Sequence, residues 1–259
     1  MDLGILGRKA LVLGSSQGLG YAIARTLVSE GAGVTLTGRS SDKLAAAAAA
    51  LAAGGAAVAT EVVDLSDAAS VSALVERIAD RAIDILVLNS GGPPPGPVGS
   101  VDTELWTSQF ATMVSAPLSI AAAVVPGMRA RRFGRVVAIV SSGVQQPIPN
   151  LGISNALRAS IVGWAKTLAG EVAADGVTVN CVLPGRIHTS RVDQLDDAAA
   201  KRAGTTRDDI AAASRATIPV GRYGNPEEFA DAVAFLASAR AAYITGTTLR
   251  VDGGMIRSI

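Results

Sequence analysis

Short apolar runs alternate with longer amphipathic stretches along the whole chain. Lys9–Leu13 is apolar between a basic residue and a glycine, and Tyr21–Val28 carries apolar residues at helical spacing, so Arg8–Gly31 reads as buried strand, tight turn and helix. Gly33–Thr37 predicts a second strand, and Asp42–Ala53 an alanine-rich helix stopped at Gly54-Gly55, where glycine tolerates a left-handed C-terminal conformation. Val58–Val63 predicts a third strand, Ser66 or Asp67 caps a helix running to about Arg81, and Asp84–Leu88 predicts a fourth strand. A long helix is expected over roughly Asp102–Arg131, bent or interrupted at Pro117 and Pro126, and Arg135–Val140 follows as strand five. Ser154 to about Ala174 reads as helix and Thr178–Val182 as strand six; Asn225 and Pro226 open a last helix, and Thr247–Val251 makes strand seven.

Strands separated by helices with right-handed crossovers predict an α/β fold. The expectation is a single doubly wound (Rossmann-type) domain over residues 1–259, with a seven-stranded parallel sheet in the order 3-2-1-4-5-6-7 and a ligand crevice at the C-terminal ends of the strands. Pro184–Thr217 is polar, charged and poor in sheet character, so an insertion at about 184–217 is expected to cover the site.

Composition narrows the choice of function. The 259 residues suffice for a core on both faces of a sheet, and with 49% apolar but 3% aromatic residues that core must be Ala, Val, Leu and Ile. A net charge of +1 without any basic cluster interleaved with aromatics argues against a nucleic-acid partner. One cysteine, Cys181, excludes an intramolecular disulfide, and with one histidine, His188, a metal centre is not expected; a reducing cytoplasm fits. The N-terminus shows no signal peptide, and Ala45–Ala53 is too short and too weakly apolar to span a bilayer, so no membrane partner is expected.

The first turn, Gly14-Ser15-Ser16-Gln17-Gly18-Leu19-Gly20, carries the chemistry. Between a buried strand and a helix N-terminus, its glycines let backbone N–H groups approach a pyrophosphate. No lysine follows the last glycine, which argues against a P-loop, and the spacing differs from the usual G-x-G-x-x-G fingerprint.

These residues, with others in order along the chain, resemble the short-chain dehydrogenase/reductase family. Gly14-x-x-x-Gly18-x-Gly20 is similar to its nucleotide turn, with Leu13 where Thr is usual, and Ser16, Gln17 and Leu19 lie in that turn. Asp64-Leu65 resembles its adenine contact, Asn89-Ser90-Gly91-Gly92 its Asn-Asn-Ala-Gly segment, and Pro184-Gly185-Arg186-Ile187-His188-Thr189 its nicotinamide loop, in which Ile187 and Thr189 would hold the carboxamide. Pro219-Val220-Gly221-Arg222, Tyr243-Ile244-Thr245-Gly246 and Val251-Asp252-Gly253-Gly254 resemble its C-terminal third, and the layout is nearest the 3-oxoacyl-carrier-protein reductase-like branch. The resemblance implies carbonyl/alcohol interconversion by hydride transfer on a small-molecule carbonyl or alcohol substrate, and a homotetramer or homodimer packed through the helices at Asp102–Arg131 and Ser154–Ala174.

The departures fall on proton transfer. The family's catalytic serine matches Ser141, but its Tyr falls at Ser154, its Lys at Arg158 and its helix Asn at Met113. A phenol of pKa near ~10 exchanges protons with an alkoxide where a serine hydroxyl has no comparable acidity, and a guanidinium above about 12 holds ribose hydroxyls without relaying protons. Ser154 therefore reads either as a direct donor or as a plain helix N-cap, and His188 either as a replacement donor or as a surface loop residue. The alternative function is a catalytically degenerate coenzyme-binding sensor or interaction protein.

Coenzyme choice follows from the second strand's end, Thr37-Gly38-Arg39-Ser40. It has no carboxylate for a 2′-hydroxyl and offers Arg39 to a 2′-phosphate, so NADP(H) is expected over NAD(H), moderately because Gln17 adds no charge. Arg186, Arg191 and Arg202 in the covering excursion read either as a solvated face or as the mark of an acidic or acyl-carrier-linked substrate, the first being the commoner use of scattered loop arginines.

Overall fold

The computed structural model describes residues 2–259. Seven parallel strands form one sheet: β1 (Lys9–Val12), β2 (Gly33–Gly38), β3 (Val58–Val62), β4 (Ile85–Leu88), β5 (Gly134–Ile139), β6 (Val177–Pro184) and β7 (Thr248–Val251), in the order β3-β2-β1-β4-β5-β6-β7. That is the doubly wound order the sequence predicts. The central strands are buried along both faces and read as near-continuous apolar runs, such as ILVL in β4. The edge strands β3 and β7 are partly exposed.

Alternation along each strand divides the core in two. Leu11, Leu86, Leu88, Val136 and Ala138 pack on one face with α3 (Ala68–Ile78), α5 (Ala116–Ala130) and α6 (Gly152–Val172), through Leu74, Ile120, Met128 and Ile161. Ala10, Val12, Ile85, Val87 and Val137 pack on the other with α1 (Gly18–Ser29), α2 (Ser41–Ala52) and α9 (Pro226–Leu236), through Ile23, Leu27, Leu44 and Phe229. Capping follows the residue types expected: Asp67 accepts from the Ala69 N–H at 3.0 Å, and Asn225 with Glu228 forms a capping box around Pro226.

The structure corrects the sequence reading at three places. α6 begins at Gly152, so Ser154 lies inside the first turn, buried, and is not the N-cap. The long helix is continuous rather than broken: α4 (Thr103–Phe110) passes through a π-helical turn, Ala111–Ser115, into α5. There the Ala116 N–H bonds the Ala111 carbonyl, a widened step just before Pro117, whose missing N–H would otherwise leave a gap in the ladder. The continuous rod Thr103–Ala130 is long and apolar enough by composition to cross a bilayer; here its Met113, Val114, Ile120 and Met128 are buried in the core. The Pro184–Thr217 stretch contains two helices, α7 (Ser190–Ala203) and α8 (Arg207–Ala216), whose mostly charged surfaces hid their periodicity.

Leu74 is fully buried between α3 and the sheet. Leu74→Ala is expected to cost ~2–5 kcal/mol through the cavity left behind, read as a lower urea midpoint with unchanged slope.

Candidate functional site

The candidate site lies where the sheet order reverses, between the C-terminal ends of β1 and β4. The β1–α1 turn is closed by glycine alone: a Cβ on Gly20 would stand 2.3 Å from the Gly14 carbonyl oxygen, and Gly14 and Gly18 adopt φ of 58° and 61°. Ser15, fully buried, donates to the Val12 carbonyl and accepts from the Thr37 N–H, stitching the turn to β2. From β4, Asn89 Nδ2 donates to the carbonyls of Leu13 and Gly14, each at 3.2 Å. Gln17 occupies the N-cap of α1 without a side-chain bond, and the first turn holds no acidic residue. The leading N–H groups of α1 thus face the crevice uncapped, as an anion seat requires. Gly18, Leu19 and Gly20 begin that helix, and Ser16 stands over Gly38 at the end of β2.

Arg39, exposed at the β2 end, is near enough to Asp64 to help hold its carboxyl below the usual range; the larger cause is hydrogen bonding from the Ser66 hydroxyl and N–H. Leu65 follows, half-buried. Asp64 is therefore engaged by Ser66, at 2.6 Å to its hydroxyl.

Beyond β5, Ser141 caps a short 3-10 turn, its Oγ accepting from the Gly143 N–H at 3.0 Å, so the hydroxyl proton stays available to another acceptor. On α6, Arg158 donates to the Ile139 carbonyl at 2.8 Å and to those of Ser90 and Gly91 at 3.3 and 3.4 Å. Burial, and secondarily the charge of Arg191, pulls its pKa down to about 10, which leaves it charged at neutral pH. β4, β5 and α6 so bring Ser90, Gly91, Ser141, Ser154 and Arg158 to one end of the sheet.

After β6, the Gly185 N–H bonds the Val251 carbonyl at 2.9 Å and the chain runs so close to Asp252 that a Cβ at Gly185 would lie 2.6 Å from its Cα. This close pass fixes the departure of Pro184–Thr189 from the sheet. Ile187 is buried and bridged to Gly224, and Thr189 is the N-cap of α7. His188 is displayed instead: its side chain is 64% exposed and Nε2 lies 3.8 Å from an Asp193 oxygen. Asp196, fully buried, is held by Arg186 at 3.0 Å and by the Tyr223 hydroxyl at 2.8 Å, which anchors the middle of α7.

With this geometry in view, comparison with known proteins is decisive. The sequence family described as enoyl-(acyl carrier protein) reductase matches residues 14–256. The 3-oxoacyl-[acyl-carrier-protein] reductase FabG of Vibrio harveyi is 38% identical over 253 residues, 96% of this chain and 97% of that protein. The chain belongs to the short-chain dehydrogenase/reductase family. Among solved structures of this family, L-sorbose reductase from Gluconobacter frateurii, complexed with NADPH and L-sorbose, superposes with a TM-score of 0.93 at 35% identity, with all of both chains covered. YwfH, an NADPH-dependent reductase involved in bacilysin biosynthesis, gives 0.92 at 29% identity, covering 98% of this chain and 100% of that one. The protein is accordingly an oxidoreductase of the short-chain dehydrogenase/reductase type, and relatives named for reduction do not favour the sensor alternative.

Two residues near the site escaped the sequence reading. Asn155, next to Ser154, donates to the Ile148 carbonyl at 3.0 Å, while its Oδ1 is buried without a partner among the described residues. That oxygen occupies the space above Gly143, where a Cβ would meet it at 2.2 Å. Arg191, taken for a solvated residue, reaches across to donate to the Pro93 carbonyl at 2.8 Å. Spacing alone signals neither, because both depend on which loop the fold lays beside them.

The turn's closure makes a sharp expectation. Gly20→Ala should force the Gly14 carbonyl aside and weaken NADPH binding by at least about tenfold, measured by fluorescence titration, while the far-UV circular dichroism is retained.

Proposed function

We propose that this short-chain dehydrogenase/reductase interconverts a carbonyl and an alcohol on a small molecule with NADP(H), preferred over NAD(H), in the manner of the 3-oxoacyl reductases it is similar to. The observation that carries the coenzyme reading is the uncapped α1 N-terminus behind a turn that only glycine closes, with Arg39 at the β2 end and no carboxylate in Thr37–Ser40. Gly14, Ser16, Gln17, Gly18, Leu19 and Gly20 would hold the diphosphate, Arg39 the 2′-phosphate, and Asp64 with Leu65 the adenine. Asn89, Ser90, Gly91 and Arg158 would line the nicotinamide ribose, and Pro184, Gly185, Ile187 and Thr189 the carboxamide. When bound, the coenzyme supplies or accepts hydride at its nicotinamide ring.

In this reading the free hydroxyl of Ser141 donates a hydrogen bond to the substrate oxygen and keeps its proton, while Arg158 stabilises negative charge developing there and stays protonated throughout. Ser154 stands where the family's tyrosine would, and without a phenol the final proton comes by way of water. The exposure of His188 and its place beside Asp193 favour a loop role over proton donation. α7 and α8 would cover the substrate over residues 184–217. A cytoplasmic enzyme is proposed, its lone thiol reduced, assembled as a homotetramer or homodimer through the outer faces of α4–α5 and α6.

Titration with each coenzyme tests the reading: NADPH is expected to bind about tenfold tighter than NADH, and Arg39→Ala to erase the difference. Equal dissociation constants in the native protein would overturn the preference. Consumption of NADPH with ketones and 3-oxoacyl thioesters tests turnover; binding with none would mark a sensor. Ser154→Tyr with Arg158→Lys should raise kcat, and His188→Gln should leave it within about twofold, since an exposed imidazole contributes little to a buried proton transfer.

A further inference from the structure

The segments around the crevice are rich in arginine: three are paired with carboxylates, while Arg202 and Arg215 have no such partner among the described residues but are exposed. Arg186 meets Asp196 at 3.0 Å, Arg207 meets Asp193, and Arg222 meets Glu228 at 2.6 Å. Arg191 differs. α7 carries Asp193, Asp196 and Asp197, yet no carboxylate of the described residues lies within salt-bridge distance of Arg191, whose guanidinium extends over Gly92 to the Pro93 carbonyl at 2.8 Å. Arg158 likewise spends its donors on three carbonyls and on no carboxylate. The two guanidiniums are close enough for the charge of Arg191 to depress the pKa of Arg158, and burial depresses that of Arg191 itself. Two like charges, both half-buried and both laid against residues 90–93, are unfavourable unless an anion joins them.

Position separates this seat from that of the coenzyme diphosphate. The α1 N-terminus lies beside β1 and β2, whereas Gly92 and Pro93 follow β4 and Arg158 sits on α6, on the side of the switch point that holds Ser141. Building on the proposed oxidoreductase reading, we propose that Arg191 and Arg158 form a receptor for a carboxylate carried by the substrate, so that the enzyme acts on an oxo acid or hydroxy acid rather than on a neutral ketone. Arg191 would fix the carboxylate, through charge-assisted bonds from the covering helix, and so place the neighbouring carbonyl against Ser141. Arg191 is then a specificity residue carried into the site by the first turn of α7.

Calorimetry on the NADP+ complex with phenylpyruvate and acetoacetate, each beside its methyl ester, tests this without requiring turnover. The acids are expected to bind at least about tenfold tighter than the esters, with Arg191→Gln shrinking that gap below about threefold, Arg191→Lys restoring part of it, and NADP+ affinity staying within about twofold. Equal binding of acid and ester in the native protein, or no binding of either acid, overturns the proposal. A gap that survives Arg191→Gln while NADP+ affinity falls also overturns it, and assigns Arg191 to the coenzyme diphosphate instead. Failure of NADP+ itself to bind would strike the coenzyme reading alone; the acid and ester comparison on the free protein then decides the carboxylate seat by the same criteria.

Discussion

A single close approach governs this molecule: the α-carbon of Gly20 against the carbonyl oxygen of Gly14, a distance at which no side chain fits. It turns the chain from β1 directly into α1 and aims the helix N-terminus at the strand ends. Asn89, just after β4, then grips the Gly14 carbonyl and the one before it, of Leu13, from the other side of β1. The switch in strand order and the mouth of the crevice are therefore held by one hydrogen-bonded knot, and the two apolar layers settle on either face of it.

Around that knot the site is divided by charge. The β1–β2 side presents helix N–H groups and Arg39, suited to phosphates, while the β4–β5–α6 side presents hydroxyls and guanidiniums with no nearby carboxylate. Acidic groups are plentiful in the covering segment, but they are consumed inside it: Asp196 is buried with Arg186 and Tyr223, and Asp193 faces Arg207 and His188. The result is a segment held together by its own ion pairs, beside strand ends that carry guanidiniums with no carboxylate partner among the described residues. Such segregation favours anionic ligands over cationic ones.

Much of this was legible in the amino-acid order. The strand order follows from apolar runs alternating with helical spacing, and the glycine turn announces itself because only glycine tolerates positive φ and a backbone pressed against backbone. Boundaries shifted by one or two residues, as at α6, where the helix begins before Ser154. The π-helical turn at Ala111–Ser115 was not readable, since its cause is a proline whose effect could equally have been a break. α7 and α8 escaped because their apolar stripes are narrow and interrupted by charge. Asn155 and Arg191 escaped for a different reason: an orphaned oxygen and an unpaired guanidinium are defined by neighbours far along the chain, Gly143 and Pro93 among them, which only the fold brings near.

Cys181 sits mid-strand in β6, sealed in the core, and burial drives its thiol up to about 12. Almost no thiolate exists there at neutral pH, and the thiolate is the nucleophile that attacks peroxides and disulfides. The chain therefore offers oxidants no reactive thiol, and its one cysteine serves as packing inside the sheet.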